Sequence, residues 1–77
     1  MPRITPVHWK VLECVFLLAG FEFSRQEGDH RVYVKPGVLR PVVIPAKSSL
    51  DNVIIQSNMR TAKMSRDTYF ALLAACK

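Results

Sequence analysis

The sequence predicts a small α+β domain in which helices cover one face of a three-stranded antiparallel sheet. Three observations predict it. Apolar residues recur at helical spacing near both ends of the chain, residues 21–45 alternate with period two, and turn-forming glycines and prolines punctuate the alternation. The order of elements reads α-β-β-β-α-α. No linker, internal repeat or low-complexity tract divides the 77 residues, so 1–77 is expected to be one domain.

The first helix is expected between Thr5, a residue suited to an N-cap, and Gly20, suited to closing the C-terminus in a left-handed conformation. Pro6 fits the first helical position, and Val11, Leu12, Val15, Phe16, Leu18 and Ala19 form the apolar side. His8 falls on that side near the start, where it reads as a packed or capping group. Phe21, Phe23 and Arg25 then share one face of a first strand. Gln26-Glu27-Gly28-Asp29 reads as a four-residue turn, and His30 to Lys35 as a second strand. That loop length sets Arg25 opposite His30, Phe23 opposite Val32 and Phe21 opposite Val34, with these apolar residues toward the core. Arg31, Tyr33 and Lys35 then take the solvated face. After Pro36-Gly37, Arg40 to Pro45 is a third strand that its prolines confine to an edge. Its register is open between Val42 and Ile44 inward or Pro41 and Val43 inward, and the first is expected. Leu50 to Arg60 returns to helical character, with Ser48 or Ser49 as cap and Asp51 in the first turn. Ser65 caps a last helix striped by Tyr69, Phe70, Leu72 and Leu73. Phe16, Phe23 and Ile44 are expected inside the small core, where truncation to Ala would be costly.

An apolar fraction of 49% with 22% charged residues excludes a disordered or low-complexity chain. The longest apolar run, Val15 to Ala19, is far short of the roughly 20 residues a membrane span needs. Met1-Pro2-Arg3 followed by Pro6, His8, Lys10 and Glu13 lacks the clean apolar stretch of a signal peptide. Cys14 and Cys76 stand near opposite ends with neither metal-ligand nor framework spacing. They read as small apolar fillers in a reduced, cytoplasmic compartment. Eleven Lys and Arg against six Asp and Glu give a net charge of +5, which favours an anionic partner, either nucleic acid or an acidic protein surface.

Two constellations carry chemistry. In the expected register His30 and Arg25 meet at the hairpin's open end. Histidine exchanges protons near neutral pH, and RNA cleavage without a metal needs a base for the 2′-hydroxyl, an acid for the leaving oxygen, and cationic charge on the phosphate. His30 is the candidate for proton transfer, with Arg25, Arg40 and Lys47 for the charge; the plainer reading is an ordinary strand-start histidine. Tyr33 between Arg31 and Lys35 forms the second, an aromatic to stack on a base between cations for phosphates. Its plainer reading is a solvated sheet face. No zinc spacing, phosphate-cradling loop or Ser/His/Asp set is present, so redox, kinase and zinc-hydrolase readings have no footing.

Gly20-Phe21, Arg25, Gly28-Asp29-His30, Tyr33, the run Arg40-Pro41-Val42-Val43-Ile44-Pro45, and Arg60-Thr61-Ala62-x-Met64-Ser65 together resemble the HicA toxins, also called YcfA-like proteins. The resemblance runs from about Trp9 to Leu73. It implies a double-stranded-RNA-binding-domain-like fold and an mRNA interferase, an endoribonuclease toxin that uses a histidine, here His30, and no metal or other cofactor. It also implies a HicB-like antitoxin that covers the active surface, with the toxin monomeric alone and part of a hetero-oligomer when bound. The chain departs from the common Gly-Ser-His pattern with Asp29 before His30 and Arg31 after it. It has Ala46-Lys47 where many members carry another His, and Lys63 where relatives often have Gly. The alternative is a non-catalytic module of the same fold, binding RNA through Arg31, Tyr33 and Lys35 or binding only an acidic protein.

Overall fold

The chain forms α1 (Trp9–Leu18), β1 (Glu22–Glu27), β2 (His30–Val34), β3 (Val42–Pro45), α2 (Asn52–Ala62) and α3 (Arg66–Cys76), the expected order. The computed structural model describes residues 3–76. The strands pair antiparallel in the order β1-β2-β3. α1 and α2 both pack against β3, and α3 lies along α1.

The start of α1 corrects the sequence expectation. Val7 exchanges backbone hydrogen bonds with Leu50, at 3.2 and 2.8 Å, so it belongs to an isolated bridge and Thr5-Pro6 cannot open the helix. His8 is the N-cap instead, its Nδ1 accepting from the Lys10 N–H at 3.1 Å. At the other end Gly20 takes φ +100°, with Gly20 N–H bonded to the Leu17 carbonyl and Phe21 N–H to that of Phe16. This is a Schellman closure, and it reverses the chain into β1. Asp51, not Ser48 or Ser49, caps α2 by accepting from Ile54 N–H, while Ser65 caps α3 as expected by accepting from Thr68 N–H.

The hairpin register is the main correction. The turn is two residues, Gly28-Asp29, with Gly28 at φ +61° as a Gly-first primed turn requires. Glu27 therefore faces His30, and Arg25 faces Val32. A bulge at Ser24 then shifts the ladder so that Phe23 faces Tyr33. A two-residue change of loop plus one extra residue exchanges the faces. Tyr33 and Arg31 join Val42 and Ile44 on the helix side, whereas His30, Val32, Val34 and Val43 take the other side.

The core holds Leu12, Val15 and Phe16 of α1, Tyr33, Val42 and Ile44 of the sheet, Ile55 and Met59 of α2, and Tyr69 and Leu73 of α3. Val42 and Ile44 point inward as expected. Phe23 is instead half exposed, laid edge-on against Tyr33 at 5.7 Å. The side-by-side packing of α1 and α3 also brings Cys14 and Cys76, 62 residues apart in sequence, into a disulfide. The expectation of two unpaired filler thiols is thereby overturned, and with it the inference from free thiols to a reducing compartment. Among the described residues, no helix is long and apolar enough to cross a membrane.

Candidate functional site

His30 opens β2 immediately after the Gly28-Asp29 turn. The Asp29 carbonyl accepts from Ala46 N–H at 2.6 Å, which stitches the turn to the end of β3 and fixes His30 beside its register partner Pro45. The imidazole is open to solvent, with 57% of its side chain exposed, and Nδ1 lies 3.7 Å from Asp29 Oδ1. That contact is ionic only when the ring is protonated. On one side the ring borders a cavity of about 440 Å³, walled by Val43 and Pro45 of β3 and by Ile54, Ser57 and Asn58 of α2.

Asn58 is unusual within that wall. Only 7% exposed, its amide nitrogen has no hydrogen-bond partner among the described residues. A buried unpaired amide costs on the order of 1–3 kcal/mol, and it lines the same cavity as His30. The sequence signal for it was available: a lone Asn following Ile54 and Ile55 by four and three residues interrupts the apolar side of α2.

The cations expected around His30 are distributed unequally. Arg25 lies on the His30 face, diagonal to it instead of opposite, and its Nε donates to Glu27 Oε2 at 3.1 Å. Both groups are well exposed, so the pair holds Arg25 only weakly. Lys47 is exposed two residues past Pro45, with its backbone anchored to Trp9 N–H and the Pro45 carbonyl. Arg40 lines a second cavity, of about 540 Å³, between residues 37–40 and the end of α2. Ser57 and Thr61 line both cavities, which are therefore one continuous groove along α2 and β3.

Arg31, Tyr33 and Lys35 do not form a solvated face. Tyr33 is fully buried, its hydroxyl donating to Glu13 of α1 and accepting from Arg31 Nε at 3.0 Å. Arg31 Nη2 also donates to Glu13 at 3.0 Å and Nη1 to Gln26 at 2.8 Å, while its guanidinium sits 4.8 Å from the Trp9 ring centroid and 4.4 Å from that of Phe23. Burial, then the bond to Glu13, pushes the Tyr33 hydroxyl up to about 12. Lys35 Nζ donates to the Ala19 carbonyl at 2.7 Å, capping the C-terminal end of α1. The physical reason is the register: these three side chains project from the strand face that α1 covers.

Fold and site together define a class of small α+β protein that presents an exposed imidazole at the mouth of a groove between a sheet edge and a helix. The family described as the HicA toxin of bacterial toxin–antitoxin systems matches residues 9–64, from the start of α1 to just past the end of α2. The chain belongs to the HicA toxin family, and that match spans every residue of the groove. No curated protein and no solved structure matches the chain.

Proposed function

We propose that this chain is the toxin of a toxin–antitoxin pair and acts as a metal-independent mRNA endoribonuclease, with His30 in proton transfer. The cytoplasm is its proposed place of action on the ground of the mRNA target, not of the cysteines. The observation that carries the reading is the open His30 ring at one end of the α2–β3 groove. In the neutral form its free nitrogen takes the proton of a 2′-hydroxyl. The oxygen then attacks the adjacent phosphorus, and the bond to the 5′-oxygen breaks. The departing oxygen regains a proton, from His30 in its protonated form or from water. Lys47, with Arg25 once it leaves its weak pair with Glu27, supplies positive charge as the phosphorane's charge builds. Arg40 lines the far end of the groove and meets the strand away from the scissile bond. A HicB-like antitoxin would silence the enzyme by covering the groove, giving a hetero-oligomer from a toxin that is monomeric alone.

The RNA-binding form of the non-catalytic alternative loses support, because it relied on Arg31, Tyr33 and Lys35, which are committed to α1. The deciding experiment compares the parent with His30→Ala in cleavage of mRNA by purified protein and in growth arrest on induction. Loss of general acid–base catalysis should lower the cleavage rate about 10²–10⁴-fold. Thermal stability should stay essentially unchanged, as expected for an exposed side chain. Equal cleavage by both proteins, or none by the parent, would overturn the proposal.

A further inference from the structure

At the end of the groove away from His30, three cations converge on one cavity: Arg40 from the β2–β3 loop, and Arg60 and Lys63 from the end of α2. Arg60 in the last turn of α2 and Lys63 at its C-cap suit the negative end of the helix dipole, but among the described residues neither charged group is held by a side-chain contact. Among the described residues, the three side chains have no hydrogen-bond or ion-pair partner. No carboxylate lines the cavity, although six acidic residues are present in the chain. The α2 carbonyl end offsets only part of this charge. Three cations around one concavity without a carboxylate repel one another, and an anion relieves that repulsion.

Lys63 supplies a second, independent observation. It is the one non-glycine residue with positive φ among those described, at φ 54°, where it closes α2 in the left-handed conformation. Glycine takes that position without strain, while a lysine stores some there. Strain retained where a side chain reaches a cavity points from geometry toward function. The neighbouring surface is apolar: Leu39 is fully exposed beside the cations, and Val43 and Val53 flank the groove toward His30. Arg40 and Pro45 are five residues apart along the chain through β3, roughly 16 Å at strand rise. The groove is thus longer than a single phosphate and carries its charge at the end opposite the imidazole.

We infer that the Arg40–Arg60–Lys63 cavity is a distal phosphate subsite, which seats the backbone of single-stranded RNA a few nucleotides from the bond at His30. Unpaired bases lie against the apolar strip while the three cations hold the phosphates, the mixture that single-strand recognition uses. The inference deepens the endoribonuclease reading and rests on it for the direction of the strand past His30.

The test measures binding of a short labelled single-stranded RNA across a salt series, in full-length protein carrying His30→Ala so that the probe survives. Into that background go Arg60→Gln, Lys63→Gly and the two together. Each single variant should weaken binding several-fold and the double about tenfold. The slope of log affinity against log salt should shrink by about 0.7 for each phosphate that is no longer neutralised. Lys63→Gly should at the same time raise the melting temperature, because it removes the left-handed strain. Weaker binding in a more stable protein cannot be ascribed to unfolding. Unchanged affinity and salt slope in the double variant would overturn the inference, as would equal affinity for a duplex of the same length. Loss of affinity for a purified antitoxin, with RNA binding intact, would also overturn it by marking the cavity as a protein-binding surface. A parent that binds RNA through Arg60 and Lys63 but never cuts it sinks the nuclease reading and leaves the subsite standing. A parent that cuts RNA, with cutting and binding indifferent to both residues, does the reverse.

Discussion

Alternate residues of β2 meet opposite fates. Arg31, Tyr33 and Lys35 turn toward α1 and are consumed there: Arg31 between two aromatic rings and bonded to Glu13, Tyr33 bonded to the same carboxylate, Lys35 on the carbonyl of Ala19 at the helix C-cap. His30, one residue earlier than Arg31, faces away and keeps its ring open to the groove. Cation and aromatic in alternation describe a nucleic-acid surface only if the strand presents that face to solvent. The same composition holds a helix onto a sheet when it does not. Availability is therefore decided by register, and net charge overstates the binding surface of this protein by the cations its scaffold has already engaged.

The largest way to break this contrast is to loosen the helix side. The Cys14–Cys76 bond ties α1, which carries Glu13, to α3. Closing a loop of that length in the unfolded chain corresponds to about 4 kcal/mol in the chain-entropy account. Reduction, or Cys14→Ser, is expected to lower the urea midpoint by a matching amount. Identical midpoints with and without reductant would show that α1 is held by its packing and its Glu13 network alone.

A titration sharpens the contrast without mutation. The folded Tyr33 hydroxyl is raised to about 12 from an ordinary value of 10.0, first by burial and then by its bond to Glu13. Below about pH 10 both folded and unfolded states keep the proton, and its stabilisation is complete. Between about 10 and 12 the unfolded state gives up the proton while the folded state holds it, so stability falls as pH rises, by roughly 2–3 kcal/mol. Burial raises Tyr69 as well, so it contributes in the same direction. Tyr33→Phe should accordingly remove part of the alkaline loss, and a stability profile unchanged by that substitution would contradict the buried network.

The element order, the Gly20 closure, the Ser65 cap, the capping role of His8 and the inward Val42 and Ile44 were all legible, because each rests on short-range pattern or cap chemistry. His30 was legible as the entry residue of a strand for the same reason. The faces of the hairpin were not. They depended on whether Gln26 and Glu27 belong to the turn or the strand and on an extra residue at Ser24, and alternation alone does not count either. The disulfide and the Val7–Leu50 bridge are long-range pairings that local spacing does not encode. Arg60 and Lys63 were not legible as phosphate contacts, because their cavity is made by folding the end of α2 beside the loop at Arg40.

The smallest effect makes the sharpest comparison, since it applies one chemical change to both faces. Arg31→Gln removes a guanidinium that donates to Glu13, Gln26 and Tyr33 at once, leaving the Glu13 carboxylate only 22% exposed and short of its cationic partner. Stranding a largely buried charge in this way is expected to cost about 2–3 kcal/mol. Arg40→Gln removes a guanidinium with no partner among the described residues, from an exposed position on a loop. It should change stability by no more than about 0.5 kcal/mol, and denaturant melts of the two variants side by side would measure the gap. If Arg40→Gln proved as costly as Arg31→Gln, the groove cations would be scaffold too, and the distinction between engaged and available charge would fail for this fold. A near-zero cost leaves ligand binding as the remaining work for that side chain.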